Sequence, residues 1–385
     1  MENQSAPAQY VFLTCQRGAE SALRREMERR RPDYRFSYSR PGFATWRRPS
    51  SESLEKRLAF DASSLQLVFA RSYSHFVGRV SDRECAGDDG SFDQTAAIAR
   101  VWDLVRSEVI KDAQLGRREP LKIARIHVYE RDRAKAGFRG YEPCLAPSAF
   151  ELHRKIYDAA PTELRENFGA DADRLDAPGK PGEICLDVAT IEKNEWYVGV
   201  HRVTDMHSQY PGGLLSLSLP TDAASRAFLK YEEGLRWSKF PIGVGSHCVD
   251  VGAAPGGGSQ ALLARGAFVL GVDPAQIDPR VLEHPNFTHL RGKIGQLKRR
   301  RFRKSRWFVA DMNVMPNYTL DVLEEIIHRG DIPAQGALFT LKFSGWKFAD
   351  EIPEYLSRVK SWGFNRIWAR QLQFNRQEIM VAALK

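Results

Sequence analysis

Two lysines and two acidic residues could together perform proton transfer at a hydroxyl group. They are Lys230, Asp311, Lys342 and Glu378. Asp311 and Lys342 each end a short apolar run typical of a buried strand. Because a buried ammonium group is costly without a charged partner, the position of Lys342 favours a functional role. A lysine that has lost its proton can act as a general base, and an open α/β sheet binds its ligands at the carboxyl ends of its strands.

A glycine-rich turn at residues 249–257 could hold a nucleoside cofactor. Its sequence, Val-Asp-Val-Gly-Ala-Ala-Pro-Gly-Gly, stands between an apolar run and a segment of helical composition, which lets backbone approach a ligand without Cβ clashes. Pro255 removes one N–H donor, which disfavours the pyrophosphate site of a nicotinamide-dependent oxidoreductase without excluding it. S-adenosylmethionine has no phosphate and does not need that donor. Asp273 ends the next apolar run, where a carboxylate can accept hydrogen bonds from ribose hydroxyls.

Composition sets the broad class. A length of 385 residues predicts two or three domains, and a net charge of +9 permits nucleic-acid binding without requiring it. The five cysteines lie at least 40 residues apart, without the spacing of metal-ligand motifs, so we expect no metal site, no disulfides and a reducing cytoplasm. No signal-peptide pattern and no run near the ~18 apolar residues that span a bilayer is present, so we expect no membrane association. We further expect a monomer.

Three domains are predicted from the order of the elements. Residues 1–80 combine a strand, a basic helix and further strands, including the apolar run 67–70, and predict a ferredoxin-like α+β unit. Residues 81–210 predict helices, a strand and a hairpin. Residues 211–385 alternate strands and helices, which predicts an α/β, doubly wound and mostly parallel Rossmann-like sheet. Its seven predicted strands are 247–252, 267–273, 288–290, 306–311, 337–342, 366–371 and 379–384.

A basic run at residues 291–306 holds nine lysines and arginines and no acid. This density exceeds what solubility needs, although a charge run can also be an ordinary solvated face. Because the run precedes the strand that ends at Asp311, we expect it at the rim of the cleft, contacting RNA phosphates. The residues predicted to make these contacts are Lys298, Arg299, Arg300, Arg301, Arg303 and Lys304.

The motifs around these residues resemble those of Rossmann-type ribose 2′-O-methyltransferases, and most of all the RlmM family. The motifs are Ser-Arg-Ala-Phe-Leu-Lys-Tyr-Glu-Glu (225–233), the glycine turn (250–257), Val-Ala-Asp-Met (309–312), Leu-Lys (341–342) and Arg-Gln-Glu-Ile (376–379). The resemblance implies S-adenosylmethionine-dependent methylation of a cytidine ribose in 23S ribosomal RNA. Weaker similarity upstream lies in Leu-Thr-Cys-Gln-Arg-Gly-Ala-Glu (13–20), Phe-Ala-Arg (69–71) and Val-Gly (198–199). It implies the family's N-terminal ferredoxin-like unit and, at residues 81–210, a THUMP-like RNA-binding unit.

The resemblance also assigns site residues. Lys342 corresponds to the family's general base within a Lys-Asp-Lys-Glu tetrad. In our interpretation Lys230 stabilises the developing oxyanion, and Asp311 and Glu378 orient the two lysines. The residues expected to contact the cofactor are Ser225, Gly252, Ala254, Pro255, Gly256, Gly257, Asp273 and Asp311.

Two positions depart from the family pattern. Gly258 stands where the family has tryptophan, and Lys293 stands where it has an acid after the third strand. Three alternatives to ribose methylation therefore remain at this stage. They are an RNA base methyltransferase, an RNA-binding protein with a vestigial methyltransferase fold, and the nicotinamide-dependent oxidoreductase. The base methyltransferase is disfavoured because Asp-Met-Asn-Val (311–314) lacks the usual Pro-Pro-aromatic clamp.

Overall fold

The computed structural model describes residues 9–49, 57–87, 89–114, 122–328 and 332–385. The chain separates into two compact units, Met1–Ser216 and Leu217–Lys385. None of the helices in the described ranges combines the length and the apolar character needed to cross a bilayer.

The described residues of the first unit form one seven-stranded sheet. Its order is β2-β3-β1-β4-β7-β6-β5, and only the pair β5 and β6 runs parallel. The strands are β1 (Tyr10–Thr14), β2 (Arg35–Arg40), β3 (Phe43–Arg47), β4 (Ser72–Ser81), β5 (Ile123–Glu130), β6 (Ile184–Glu192) and β7 (Glu195–Arg202). The helices are α1 (Glu20–Arg30), α2 (Gln94–Gln114), α3 (Pro147–Asp158) and the short α4 (Thr162–Arg165).

The predicted strand at residues 67–70 is wrong. This segment is buried but irregular, and the strand lies further on, in β4. The backbone N–H groups of Val68 and Phe69 donate to the carboxylate of Glu26, at 2.7 and 3.1 Å, instead of to a neighbouring strand. Because Glu26 satisfies these donors, the apolar residues are buried without joining the sheet.

The division of residues 1–210 into a ferredoxin-like and a THUMP-like unit stays a prediction. Strands from both sides of residue 80 share the sheet, since β4 pairs with β7 from His75–Val200 to Ser81–Glu195. One side of β5, β6 and β7 packs on α2 and α3 through apolar residues such as Trp102, Ile156 and Val188. The first unit therefore has a core of its own.

The second unit confirms the predicted Rossmann-like fold. Over the described residues, its sheet has the order β10-β9-β8-β11-β12-β14-β13, parallel except for β14. The strands are β8 (His247–Val251), β9 (Phe268–Asp273), β10 (Phe287–Arg291), β11 (Trp307–Ala310), β12 (Gly336–Lys342), β13 (Arg366–Arg370) and β14 (Glu378–Leu384). The helices are α5 (Ala227–Ser238), α6 (Gly257–Leu263), α7 (Pro279–Leu282), α8 (Pro316–Ile327) and α9 (Ile352–Ser361).

Candidate active site

Three strands and one helix deliver the two lysines and two acids to one place, and we call these four residues the tetrad. Asp311 directly follows β11, and Lys342 ends the adjacent β12. Glu378 begins β14 and is the register partner of Lys342, because β14 runs antiparallel to β12. Lys230 lies in the first turn of α5. The sheet alone therefore aligns three members, and the helix supplies the fourth.

Both lysines of the tetrad contact both acids. Lys230 Nζ lies 3.0 Å from Asp311 Oδ2 and 2.7 Å from Glu378 Oε1. Lys342 Nζ lies 2.8 Å from Asp311 Oδ1 and also forms an ion pair with Glu378 Oε2. Two ammonium groups and two carboxylates thus alternate around a closed ring, which compensates all four charges at a mostly buried position.

The ring shifts the pKa values of two of its members. Burial alone would lower the pKa of Lys342, but Glu378 and Asp311 outweigh burial and hold this pKa above its ordinary value. Burial likewise opposes ionisation of Asp311, yet Lys230 and Lys342 lower its pKa to about 2. In the absence of other ligands, Lys342 is therefore an ammonium ion and Asp311 a carboxylate.

Neutral side chains complete the hydrogen bonds of the two acids. Thr340 Oγ1 donates to Asp311 Oδ1 at 2.7 Å, from two residues before Lys342 on β12. Asn375 Nδ2 donates to Glu378 Oε1 at 3.2 Å, and its Oδ1 accepts from the backbone N–H of Leu372 at 2.9 Å. Each tetrad carboxylate is thus fixed by more than its two lysines.

Glu233 joins α5 to the loop at residues 371–377, which precedes Glu378. Its side chain is 0% exposed and accepts the backbone N–H groups of Gln373, at 2.9 Å, and Phe374, at 3.0 Å. Glu233 and Lys230 lie three residues apart on the same face of α5. The hydrogen bonds of Glu233 to the loop therefore fix the position of Lys230 relative to Glu378.

A buried carboxylate under the glycine turn fixes the other face of α5. Asp250, on β8, accepts from Tyr231 Oη at 2.9 Å and from Ser259 Oγ at 2.7 Å. Burial raises the pKa of Asp250 to about 6, although these two hydrogen bonds favour its charged form. Tyr231 follows Lys230 directly, so the network holds the first turn of α5 against the sheet.

The same tyrosine explains the glycine at position 258. A Cβ atom on Gly258 would lie 2.8 Å from Cζ of Tyr231, which is closer than van der Waals contact allows. The larger side chain expected at this position from the family pattern would displace Tyr231. Tyr231, Glu233, Thr340 and Asn375 were not among the predicted site residues, although the first two lie within the quoted motif 225–233.

A cavity of about 360 Å³ lies beside the tetrad, within the usual range for small-ligand sites. Its wall includes Gly252, Ala254, Asp273 and Asp311, four of the eight predicted cofactor contacts. Gly252 has φ +80°, and a Cβ atom there would lie 2.8 Å from Met312. Only glycine therefore gives the turn this path and keeps the cavity open.

The other four predicted cofactor contacts are not among the residues that line this cavity. Ser225, Pro255, Gly256 and Gly257 are not part of the described lining. A Cβ atom on Gly257 would overlap Ser225, so this glycine serves the close approach of α6 to the segment before α5. These four residues support the conformation of the glycine turn, and the turn forms part of the cavity wall.

Asp273 ends β9 at the mouth of the turn. Its carboxylate accepts the N–H groups of Ala254, at 3.1 Å, and Ala275, at 2.7 Å. These bonds fix its orientation toward the cavity, where carboxylate lone pairs can accept from ribose hydroxyls. Two carboxylates in the cavity wall, Asp273 and Asp311, suit a ligand that carries ribose hydroxyls and a positive charge, as S-adenosylmethionine does.

The basic run starts at this cavity. Lys293 lies in the cavity wall, in the place where the family pattern predicts an acid. The buried residues Ile294 and Phe302 anchor the run, while the six cations predicted to bind RNA are all exposed. Because β10 and β11 are parallel, the run leaves the carboxyl edge of the sheet at Arg291 and returns to its amino edge at Trp307. Only its first part therefore borders the cleft.

The seven-stranded sheet, the glycine turn and the adjoining cavity define a Rossmann-like methyltransferase domain. Residues 223–343 match the family model described as FtsJ-like methyltransferase. Curated relatives named ribosomal RNA large subunit methyltransferase M confirm the similarity to the RlmM family predicted from the motifs. The relative from Histophilus somni (strain 2336) is 27% identical over 219 residues, 54% of this chain and 60% of that protein.

Two further relatives of the same name show the same partial coverage. The protein from Laribacter hongkongensis is 32% identical over 186 residues, and that from Halorhodospira halophila is 30% identical over 180 residues. Each match covers 45% of this chain and 51% of the relative. The chain thus matches little more than half the length of these proteins.

Proposed function

We propose that this protein transfers a methyl group from S-adenosylmethionine to a ribose 2′-hydroxyl of RNA, at a cytidine of 23S ribosomal RNA. The observation that carries the proposal is the closed ring formed by Lys230, Asp311, Lys342 and Glu378 beside the cavity. Two amines and two acids at one point supply a base for a hydroxyl and a compensating charge for the oxyanion. The proposal includes action as a monomer in the cytoplasm.

S-adenosylmethionine, when bound, supplies an electrophilic methyl group on a sulfonium centre. Asp273 would accept hydrogen bonds from its ribose, Ala254 and Gly252 would line its path, and Asp311 would face its positive charge. All four residues belong to the cavity wall.

The proton of the attacking hydroxyl goes to Lys342. As the 2′-oxygen gains its bond to the methyl carbon, the carbon–sulfur bond of the donor would break with its electron pair staying on sulfur. The O–H proton moves to Nζ of Lys342. The amine must first be neutral, although Glu378 and Asp311 raise its pKa in the free protein. The positive charges of Lys230 and of the sulfonium favour the neutral amine once the substrates are bound. Lys230 then stabilises the oxygen as it develops negative charge.

The basic run, which begins at the cleft and extends away from it, is proposed to hold the RNA. Its exposed cations suit phosphate contacts, which carry affinity but no sequence information. The names of the curated relatives support ribosomal RNA as the substrate.

Nucleoside mass spectrometry tests the proposal. Ribosomal RNA from cells without the gene should lack one 2′-O-methylcytidine, and the purified protein with S-adenosylmethionine should restore it in vitro. Lys342→Ala should abolish methyl transfer while retaining cofactor affinity, and Lys360→Ala, an exposed lysine on α9, should behave as the wild type. A methyl group on the base, or RNA binding without any transfer, would contradict the proposal.

A further inference from the structure

Three strands of the first unit bring metal-binding side chains together in its interior. His127 lies on β5, Cys185 on β6 and His201 on β7. One possible ligand atom of each lies within 4.8 Å of the others, and all three residues are buried. Spacing along the chain could not reveal this group, because its members are separated by 58 and 16 positions.

Sheet register adds Asp187 to the group. Cys185 is the register partner of His201, and Asp187 is the partner of His127. Directly opposed residues, and residues two apart on one strand, share a face of the sheet. Asp187 Oδ2 lies 2.7 Å from His201 Nδ1, and its Oδ1 lies 4.0 Å from His127 Nδ1. One face therefore presents two imidazoles, a thiol and a carboxylate.

His127 has no hydrogen bond to either ring nitrogen within the described residues. Its side chain is 0% exposed. Leaving a buried polar group unsatisfied costs roughly 1–3 kcal/mol. An imidazole nitrogen with a free lone pair is what binds a metal ion, and the ring of His127 offers one without breaking a hydrogen bond.

His201 carries the outer hydrogen bond expected of a metal ligand. Its Nε2 lies 2.8 Å from the carbonyl oxygen of Ser208, which leaves Nδ1 directed at Asp187. Metal-bound histidines commonly donate their second N–H to a carbonyl in this way, which fixes the ring and its tautomer. Asp187 is held in turn by Ser74 Oγ at 2.6 Å.

The geometry points to a structural zinc site formed by His127, Cys185, His201 and Asp187. This mixed set of nitrogen, sulfur and oxygen ligands suits Zn²⁺, and four protein ligands leave no open position for catalysis. The thiolate and the carboxylate balance the charge of the ion. Binding releases one proton from Cys185 Sγ and one from the imidazolium of His201, and no oxidant or reductant is needed. Bond lengths of about 2.0–2.3 Å put tetrahedral donors roughly 3.3–3.8 Å apart. Asp187 Oδ2 and His201 Nδ1, now 2.7 Å apart, must therefore separate to admit the ion.

Metal content and a cobalt spectrum test this inference on the full-length protein. Elemental analysis of protein purified from zinc-supplemented cells should give about one zinc per chain. Replacement by Co²⁺ should produce the absorption of a tetrahedral site with a thiolate-to-metal charge-transfer band. Cys185→Ser should lose that band, and His127→Ala should lose most of the bound metal. Removing the metal with a chelator should lower the melting temperature of the wild type.

The matched control is Cys15→Ser. Cys15 is also fully buried in the first unit, but the charged groups around it are Glu20, Arg71 and Asp132. This variant should keep both the zinc and the charge-transfer band. Far below one zinc per chain in the wild type, or a cobalt complex without a thiolate band, would overturn the inference. Because these two measurements use the wild type, they remain decisive even if a variant fails to fold.

Discussion

The tetrad places its proposed base in an environment that favours the protonated form. Lys342 contacts two carboxylates, and both raise its pKa against the effect of burial. A base with a raised pKa is inactive until the pH is high or until bound positive charge lowers that pKa. The resting ring therefore holds Lys342 as an ammonium ion. In the proposed mechanism, substrate binding makes the neutral amine available.

The dependence of activity on pH should report this arrangement. Glu378→Gln keeps the shape of the side chain but removes one of the charges that raise the pKa of Lys342. Since the neutral amine is the active form, lowering its pKa should shift the ascending limb of the kcat/KM profile to lower pH. We expect a shift of about one pH unit, equivalent to about 1.4 kcal/mol. Methyl-transfer rates across a pH series measure it.

The matched variant for this measurement is Asp321→Asn. Asp321 is an acid on α8 with 65% of its side chain exposed, and it does not contact the tetrad. Its pH profile should overlay that of the wild type. An ascending limb that stays in place, or moves to higher pH in Glu378→Gln, would exclude Lys342 as the base.

At the scale of elements, α5 holds the site together. Lys230 reaches the tetrad, Tyr231 binds Asp250 under the glycine turn, and Glu233 binds the loop at residues 371–377. Because these three contacts come from four consecutive residues, the position of α5 determines the geometry of the tetrad. The loop transmits that position to Glu378 through Asn375.

Glu233→Gln should disturb catalysis without touching the cofactor. The two oxygens of Glu233 accept one backbone N–H each, from Gln373 and Phe374. Glutamine keeps one uncharged acceptor oxygen, and its NH₂ group would face the other N–H, donor against donor. We expect kcat to fall about tenfold, since hydrogen bonds to charged groups contribute roughly 1.5–3 kcal/mol. Cofactor affinity should stay within about twofold, as measured by calorimetric titration.

The pH profile of Glu233→Gln distinguishes a positioning role from a purely structural one. If Glu233 positions Glu378, the ascending limb of the profile should shift to lower pH, as in Glu378→Gln; a purely structural role leaves it in place. Glu232→Gln serves as the control, because the neighbouring Glu232 pairs with Arg236 and Arg265 instead. A lower melting temperature with an unmoved pH profile would argue against positioning.

The elements predicted correctly from the sequence are those marked by a local pattern of apolar residues. All seven strands of the second unit appear within two residues of their predicted bounds, because continuous apolar runs mark buried parallel strands. Three members of the tetrad followed from motifs at the ends of those strands, and Lys230 followed from the motif at residues 225–233. The run at residues 67–70 misled because its burial depends on Glu26, more than 40 residues earlier. Pairings such as β4 with β7, and the meeting of His127 with His201, depend on long-range contacts that no local pattern encodes.

At the scale of the whole molecule, a net charge of +9 is unevenly distributed. Nine cations without an acid occupy residues 291–306, and the anchors Ile294 and Phe302 fix this surface to the methyltransferase domain. Part of its charge is compensated, because Arg299 pairs with Glu325 of α8. A localised positive surface of this kind attracts phosphates over about one Debye length, ~8–10 Å at physiological salt.

Removing two of these charges should weaken RNA binding in a salt-dependent manner. The double variant Arg300→Ala with Arg301→Ala should reduce the slope of log Kd against log salt by about 0.7–0.9 for each lost phosphate contact. Affinity should fall to a similar extent for cognate and unrelated RNA, because phosphate contacts do not distinguish bases. At saturating RNA, kcat should be unchanged, since neither arginine belongs to the tetrad. Filter binding over a salt series measures the slopes, with Lys360→Ala on α9 as the control, because Lys360 is also exposed. An unchanged slope in the double variant would remove this surface from the RNA interface and leave the run as a solvated face.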